Sequence, residues 1–128
     1  MYKRFTLIIA LGTAGCVAQP VAQPTSIAVF FQPFSVRLDR AAITAIANAA
    51  TAAKEAPDVK ITLVGTADNT GTSDHNKALS MGRSEAVLSQ LAADGVDQTR
   101  IHVYGIGALG HLSDMTQFDR RVVIKFED

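Results

Sequence analysis

Two side chains of opposite charge have the types and positions to do chemistry together, Asp68 and Arg83. Asp68 opens the stretch Asp68-Asn69-Thr70-Gly71-Thr72-Ser73, a loop by composition, directly after a strand-like apolar run. Arg83 falls two turns into the helical pattern that follows, between Leu79 and Val87, on a flank where apolar residues are expected. A charge on such a flank usually has a partner. Two arrangements provide one: an internal Asp68 to Arg83 ion pair that staples loop to helix, or a carboxylate and a guanidinium that both face a charged ligand. The first predicts that Asp68→Ala unfolds the chain more than it weakens any binding, because it strands a buried arginine. Gly71 permits a positive φ in the loop, and Thr70 and Asn76 offer polar groups to either ligand or backbone.

Other chemistry finds little support. His75, His102 and His111 form no i, i+4 pair, and Cys16 is the only cysteine, so neither a metal site nor an internal disulfide is expected. Asp68-Asn69-Thr70-Gly71 resembles the start of a calcium loop, but Thr70 takes an acidic or amide position and no bidentate Glu follows where one is required. The chain has neither a Gly-x-Ser-x-Gly nucleophile elbow nor a glycine-rich phosphate loop. Asp68 and Asp74 lack the surroundings that paired carboxylates need to cleave a glycosidic bond. With 12 basic and 12 acidic residues the chain has no net charge, which argues against a nucleic acid as partner. The expectation is a binding protein without a cofactor, not an enzyme.

The elements that must position Asp68 and Arg83 follow from periodicity. The chain has 128 residues, 48% of them hydrophobic, enough for one domain with one modest core. Ser26 to Phe31 is β-branched and aromatic and stops before Pro33, which predicts a first strand. Asp39 can cap an alanine-rich helix from Ala41 to Ala56, with Pro57 beyond its end. Lys60 to Ala67 reads as a second strand, and Asp74 to Ala93 as a second helix closed by Asp94-Gly95. Ile101 to Tyr104 and Arg121 to Phe126 read as two further strands. The predicted fold class is α+β, in the order β-α-β-α-β-β, with two helices on one side of a four-stranded mixed sheet. The last strand is expected to be antiparallel or at an edge.

Before this domain, residues 1 to 15 have the pattern of a secretory signal. Lys3 and Arg4 are followed by the apolar run Phe5 to Leu11, which is too short to cross a bilayer, and then by small residues. Thr13-Ala14-Gly15-Cys16 resembles the lipobox of bacterial lipoproteins, which implies cleavage before Cys16 and acylation of its thiol and new amino group. More than one acyl chain gives stable membrane anchoring. Val17, rather than Asp, matches the pattern of lipoproteins sorted to the outer membrane, with the domain facing the periplasm. Val17-Ala18-Gln19-Pro20 repeats as Val21-Ala22-Gln23-Pro24, so residues 16 to 25 read as an acylated cysteine and an extended tether. The stretch from Val17 to Thr25 reaches at most ~30 Å.

Residues 26 to 128 resemble the OmpA-like peptidoglycan-binding domain family, in the manner of its peptidoglycan-associated lipoproteins. The residues that carry the resemblance are Gly65-Thr66-Ala67-Asp68-Asn69-Thr70-Gly71, then Asn76, Leu79-Ser80 and Arg83 at the family's intervals. Val29-Phe30-Phe31, Gly95-Val96-Asp97, Arg100-Ile101, Tyr104-Gly105 and Arg120-Arg121-Val122 follow in the family's order. The resemblance implies noncovalent binding of the peptidoglycan stem peptide through its diaminopimelate, whose free end carries an ammonium and a carboxylate on one carbon. Asp68 then takes the ammonium and Arg83 the carboxylate, with Thr70 and Asn76 beside them. The sequence departs from the family at Gln32, where an Asp is common, and at Thr66, Asp119 and the stretch Gly105 to Gly110. Arg120 and Arg121 edge the same site, one of them as a solvated surface residue. The function implied is an outer-membrane lipoprotein that ties membrane to wall. The alternative is the same fold kept as a docking part of an envelope or secretion assembly, with other envelope proteins as partners and little affinity for peptidoglycan.

Overall fold

The computed structural model describes residue 15, residues 24–109 and residues 116–128. The expected signal, Cys16 and most of the tether lie outside the described residues, as does His111. The described chain runs β1 (Ser26–Phe30), α1 (Arg40–Glu55), β2 (Lys60–Ala67), α2 (Ser73–Ala93), a 3-10 turn (Gln98–Arg100), β3 (Ile101–Ala108), a four-residue α3 (Thr116–Asp119) and β4 (Arg121–Glu127).

The four strands form one sheet in the order β1-β4-β2-β3, with β4 antiparallel to both neighbours and β2 parallel to β3. The expected antiparallel last strand is there, but it lies inside the sheet and not at an edge. The β1-α1-β2 crossover leaves the two parallel strands one strand's width apart, and β4 fills that slot. Its alternation suits the place, since Val122 and Ile124 are fully buried while Lys125 is exposed.

Both helices cover the same face. Ile46, Ala49, Ala50 and Ala53 of α1 and Val87 and Leu91 of α2 share one core with Val29, Ile61, Leu63, Val122 and Ile124 of the sheet. Each large aliphatic side chain buried there contributes about 1.5–3 kcal/mol. The Asp39 carboxylate caps α1 by accepting the Ala42 N–H at 2.8 Å. Arg100 closes its other end, donating to the carbonyls of Ala53, Ala56 and Val59. The hydroxyl of Thr72 caps α2, which starts at Ser73, by accepting the His75 N–H. At its exit Gly95 takes φ +95, with Gly95 N–H bonded to Ala92 and Val96 N–H to Leu91. That pairing ends the helix sharply and returns Val96 to the core beside Leu91.

Candidate ligand site where β2 meets α2

The stripe of α2 that faces the sheet changes character along its length: Asn76, Ser80, Arg83 and Ser84 are buried in its first half, Val87 and Leu91 in its second. The reason lies in the strands beneath. Gly65 of β2 and Gly105 of β3 stand side by side in register, and α2 passes directly over them. A Cβ on Gly65 would collide with the Ser80 carbonyl, and one on Gly105 with the Met81 backbone. The approach brings short polar side chains within reach of strand main chain. The Ser84 hydroxyl donates to the Tyr104 carbonyl at 2.8 Å, and the Ser80 oxygen accepts the Gly107 N–H at 2.9 Å.

Arg83 projects from this polar stretch and is 0% exposed. Its Nε donates to the Ser35 carbonyl at 2.9 Å, one Nη to Thr66 at 3.0 Å and the other to Gln32 at 3.1 Å. The guanidinium also lies over the Phe31 ring, 5.4 Å from its centroid. One planar fork thus ties the segment after β1 to the end of β2. Burial lowers the pKa of this group, the Asp68 charge opposes that, and Arg120 adds to it; the guanidinium nonetheless remains charged at neutral pH.

Asp68 is the residue immediately after β2 and is 8% exposed. Its Oδ1 accepts the Thr70 hydroxyl and the Thr70 N–H, an Asx turn that holds the loop. Its Oδ2 accepts from Arg120 at 3.4 Å. Burial alone would raise the carboxyl pKa, but the Thr70 hydrogen bonds and the Arg120 guanidinium outweigh it and hold Asp68 below the usual carboxylate range. Asn76, also buried, donates from Nδ2 to the Gly71 carbonyl at 3.2 Å, so in this conformation it braces the loop.

The structure therefore brings Asp68, Thr70, Asn76 and Arg83 to one corner, but it does not pair Asp68 with Arg83. Among the described residues the ion pair of Asp68 is with Arg120, and backbone carbonyls hold Arg83. Arg120 is the central residue that sequence reasoning placed only at the rim. The Arg120-Arg121 doublet carried the signal, because neighbours on an extended chain point opposite ways. Arg120 turns to Asp68, while Arg121 lines the open face of the sheet with Val64, Thr66, Val123 and Lys125. At Thr66, which departs from the family pattern, the hydroxyl donates to the Asp119 carbonyl and the carbonyl accepts from Arg83. The corner holds one carboxylate and two guanidinium groups, which suits a ligand carrying both an ammonium and a carboxylate.

Comparison with known proteins agrees with this architecture. A segment of the chain is 35% identical over 79 residues to the probable lipoprotein YiaD of Escherichia coli (strain K12), covering 62% of this chain and 36% of that protein. The chain thus spans about a third of that relative's length. In structure it is similar to the peptidoglycan-associated lipoprotein of Burkholderia pseudomallei, with a TM-score of 0.73 and 26% identity over 79% of this chain and 90% of that one. It shares its fold with the C-terminal domain of Helicobacter pylori MotB, at a TM-score of 0.70 and 20% identity over 79% of this chain and 84% of that one. The model of the OmpA family matches residues 30–123, which include both helices and the whole corner around Asp68, and the chain belongs to that family.

Proposed function

We infer that this protein is a lipoprotein of the outer membrane whose domain binds peptidoglycan noncovalently through the diaminopimelate of the stem peptide. The observation that carries the reading is the buried, ionised Asp68 at the mouth of the β2 to α2 loop, with guanidinium groups on either side. The names of the similar proteins, a probable lipoprotein and a peptidoglycan-associated lipoprotein, point the same way. In this reading Asp68 accepts hydrogen bonds from the ligand ammonium, exchanging its contact with Arg120 for one with the ligand. Arg83 has five N–H groups, of which three hold carbonyls, so one on each Nη remains for the ligand carboxylate. Because Arg83 is wholly covered, the segment bearing Gln32 and Ser35 shifts to admit that carboxylate. Phe34 in this segment, exposed and at φ 54, is the one described non-glycine residue with positive φ. Thr70 and Asn76 hold the loop that presents Asp68.

The test is cosedimentation of the folded protein with purified sacculi that contain diaminopimelate. Saturable binding by wild type that Asp68→Asn abolishes supports the reading. A folded wild type that stays in the supernatant overturns it and favours the second reading, a docking component of an envelope assembly. What speaks for that second reading is the open face of the sheet, where Tyr104 and Ile106 are both exposed.

A further inference from the structure

The face of the sheet that the helices leave open carries a shallow depression of about 420 Å3. Ala28 of β1, Val64 of β2 and Val123 of β4 give it apolar walls, together with Ile106 and Leu109. The last two are 50% and 43% exposed, and Tyr104, which precedes Ile106 on the same face of β3, is 52% exposed. A contiguous exposed apolar surface of this kind marks a contact with another molecule. Two side chains in the walls are ionic, Arg121 and Lys125, and both are cations. Nε of Arg121 is buried without a hydrogen-bond partner among the described residues, a state rare in native proteins. Neither cation pairs with a carboxylate among the described residues. None of Asp68, Thr70, Asn76, Arg83 and Arg120 lines the depression.

Charge and shape together narrow the occupant. A second copy of the same face would set Arg121 and Lys125 against like charges. A flat lipid surface leaves a concavity of this size unfilled, and its apolar walls then give up their contacts. A small anion would answer the cations and leave Val64 and Val123 uncovered. An extended segment laid on the face finds no main-chain partner there, because the hydrogen bonds of a sheet run in its plane. A helix bonds its own main chain, and it covers a sheet face in the way that α1 and α2 cover the other one. Positions 121 and 125 lie about 13 Å apart along β4, a span matched by seven to nine residues of helix, about 11–14 Å. We propose that this face docks an acidic amphipathic helix of a partner protein, its apolar stripe over Val64 and Val123 and its carboxylates on Arg121 and Lys125. This contact goes beyond wall binding and does not rest on it.

Photocrosslinking of the full chain in the cells that make it tests this, with a benzophenone amino acid in place of Tyr104. The same group in place of Ile43, on the exposed side of α1, is the control. The expected result is an adduct from position 104 and none from 43, mapped by mass spectrometry to a helical segment of another protein that carries an apolar stripe flanked by acidic residues. Arg121→Glu combined with Lys125→Glu lowers the adduct yield roughly threefold or more, and lysines in place of the acidic residues of the mapped segment restore it. Lys125→Glu alone reads the same effect should the double variant fail to fold. Cosedimentation with sacculi is unchanged by Lys125→Glu, and a wild type that fails to bind sacculi overturns the wall reading without touching this one. Adducts to lipid alone, to a second copy of the chain or to no macromolecule overturn the proposal. A mapped segment without acidic residues, or a yield that charge reversal leaves unchanged, overturns it equally.

Discussion

Asp68 and Arg83 carry opposite charges but rest on different supports, and their variants should therefore differ. Asp68 draws its low pKa from Thr70 and Arg120 against the cost of burial. Its folded pKa lies below the unfolded value of about 3.9, so the stability it contributes is complete above that value and fades as pH falls through the folded one. Asp68→Asn should consequently melt below wild type by a margin that is largest at neutral pH and closes below about pH 4. Thermal melts across that range check the sign, and a margin that widens on acidification contradicts it. Arg83→Ala leaves three carbonyls without their charged donor, at roughly 1–3 kcal/mol for each that stays buried, and should cost more in denaturant unfolding than Asp68→Ala. The ion-pair alternative predicts that Asp68→Ala unfolds the chain by stranding Arg83. With backbone carbonyls holding the guanidinium, Asp68→Ala leaves those three bonds in place.

The close passage of α2 over β2 and β3 makes the glycines beneath it more sensitive than their lack of side chain suggests. Gly105→Ala drives a methyl into the Met81 backbone, and overpacking of this kind costs about 1–3 kcal/mol or more. Urea unfolding measures it, and an unchanged midpoint would show that the helix does not sit this close. Much of this element-level picture is legible in the sequence. Asp39 ahead of the alanine run, Asp94-Gly95 after the second, and the alternation from Lys60 to Ala67 mark boundaries that the structure keeps to within a residue or two. What escapes is whatever depends on main chain from elsewhere. β3 extends beyond Tyr104 to Ala108 because its glycines run beneath α2, and a lone glycine-rich stretch reads instead as a loop. The acceptors of Arg83 are carbonyls of Gln32, Ser35 and Thr66, and a carbonyl leaves no signature in residue type. The inner place of β4 likewise follows from the pairing of the whole sheet, to which its own alternation gives no guide.

At the scale of the whole molecule, the proposed lipid at Cys16 and the first residue of β1 are separated by one short stretch of sequence. If Cys16 is acylated, labelling cells with a clickable fatty acid should mark wild type and leave Cys16→Ala unmarked; label retained by the variant contradicts the anchor. The stretch from Val17 to Thr25 adds at most ~30 Å to the reach of the domain, which ties wall binding to close approach of membrane and wall. The central claim is that the corner between Asp68, Arg83 and Arg120 recognises an ammonium and a carboxylate held on one carbon. Titration calorimetry with two stem tripeptides tests it most directly, one with diaminopimelate in third place and one with lysine, which keeps the ammonium and lacks the carboxylate. The account predicts saturable binding of the diaminopimelate peptide and at least a tenfold loss with lysine, since the lysine peptide forgoes the hydrogen bonds of a carboxylate to a guanidinium, and a bond to a charged group is worth about 1.5–3 kcal/mol against the 1.4 kcal/mol of a tenfold change. Equal affinity for the two peptides would contradict it.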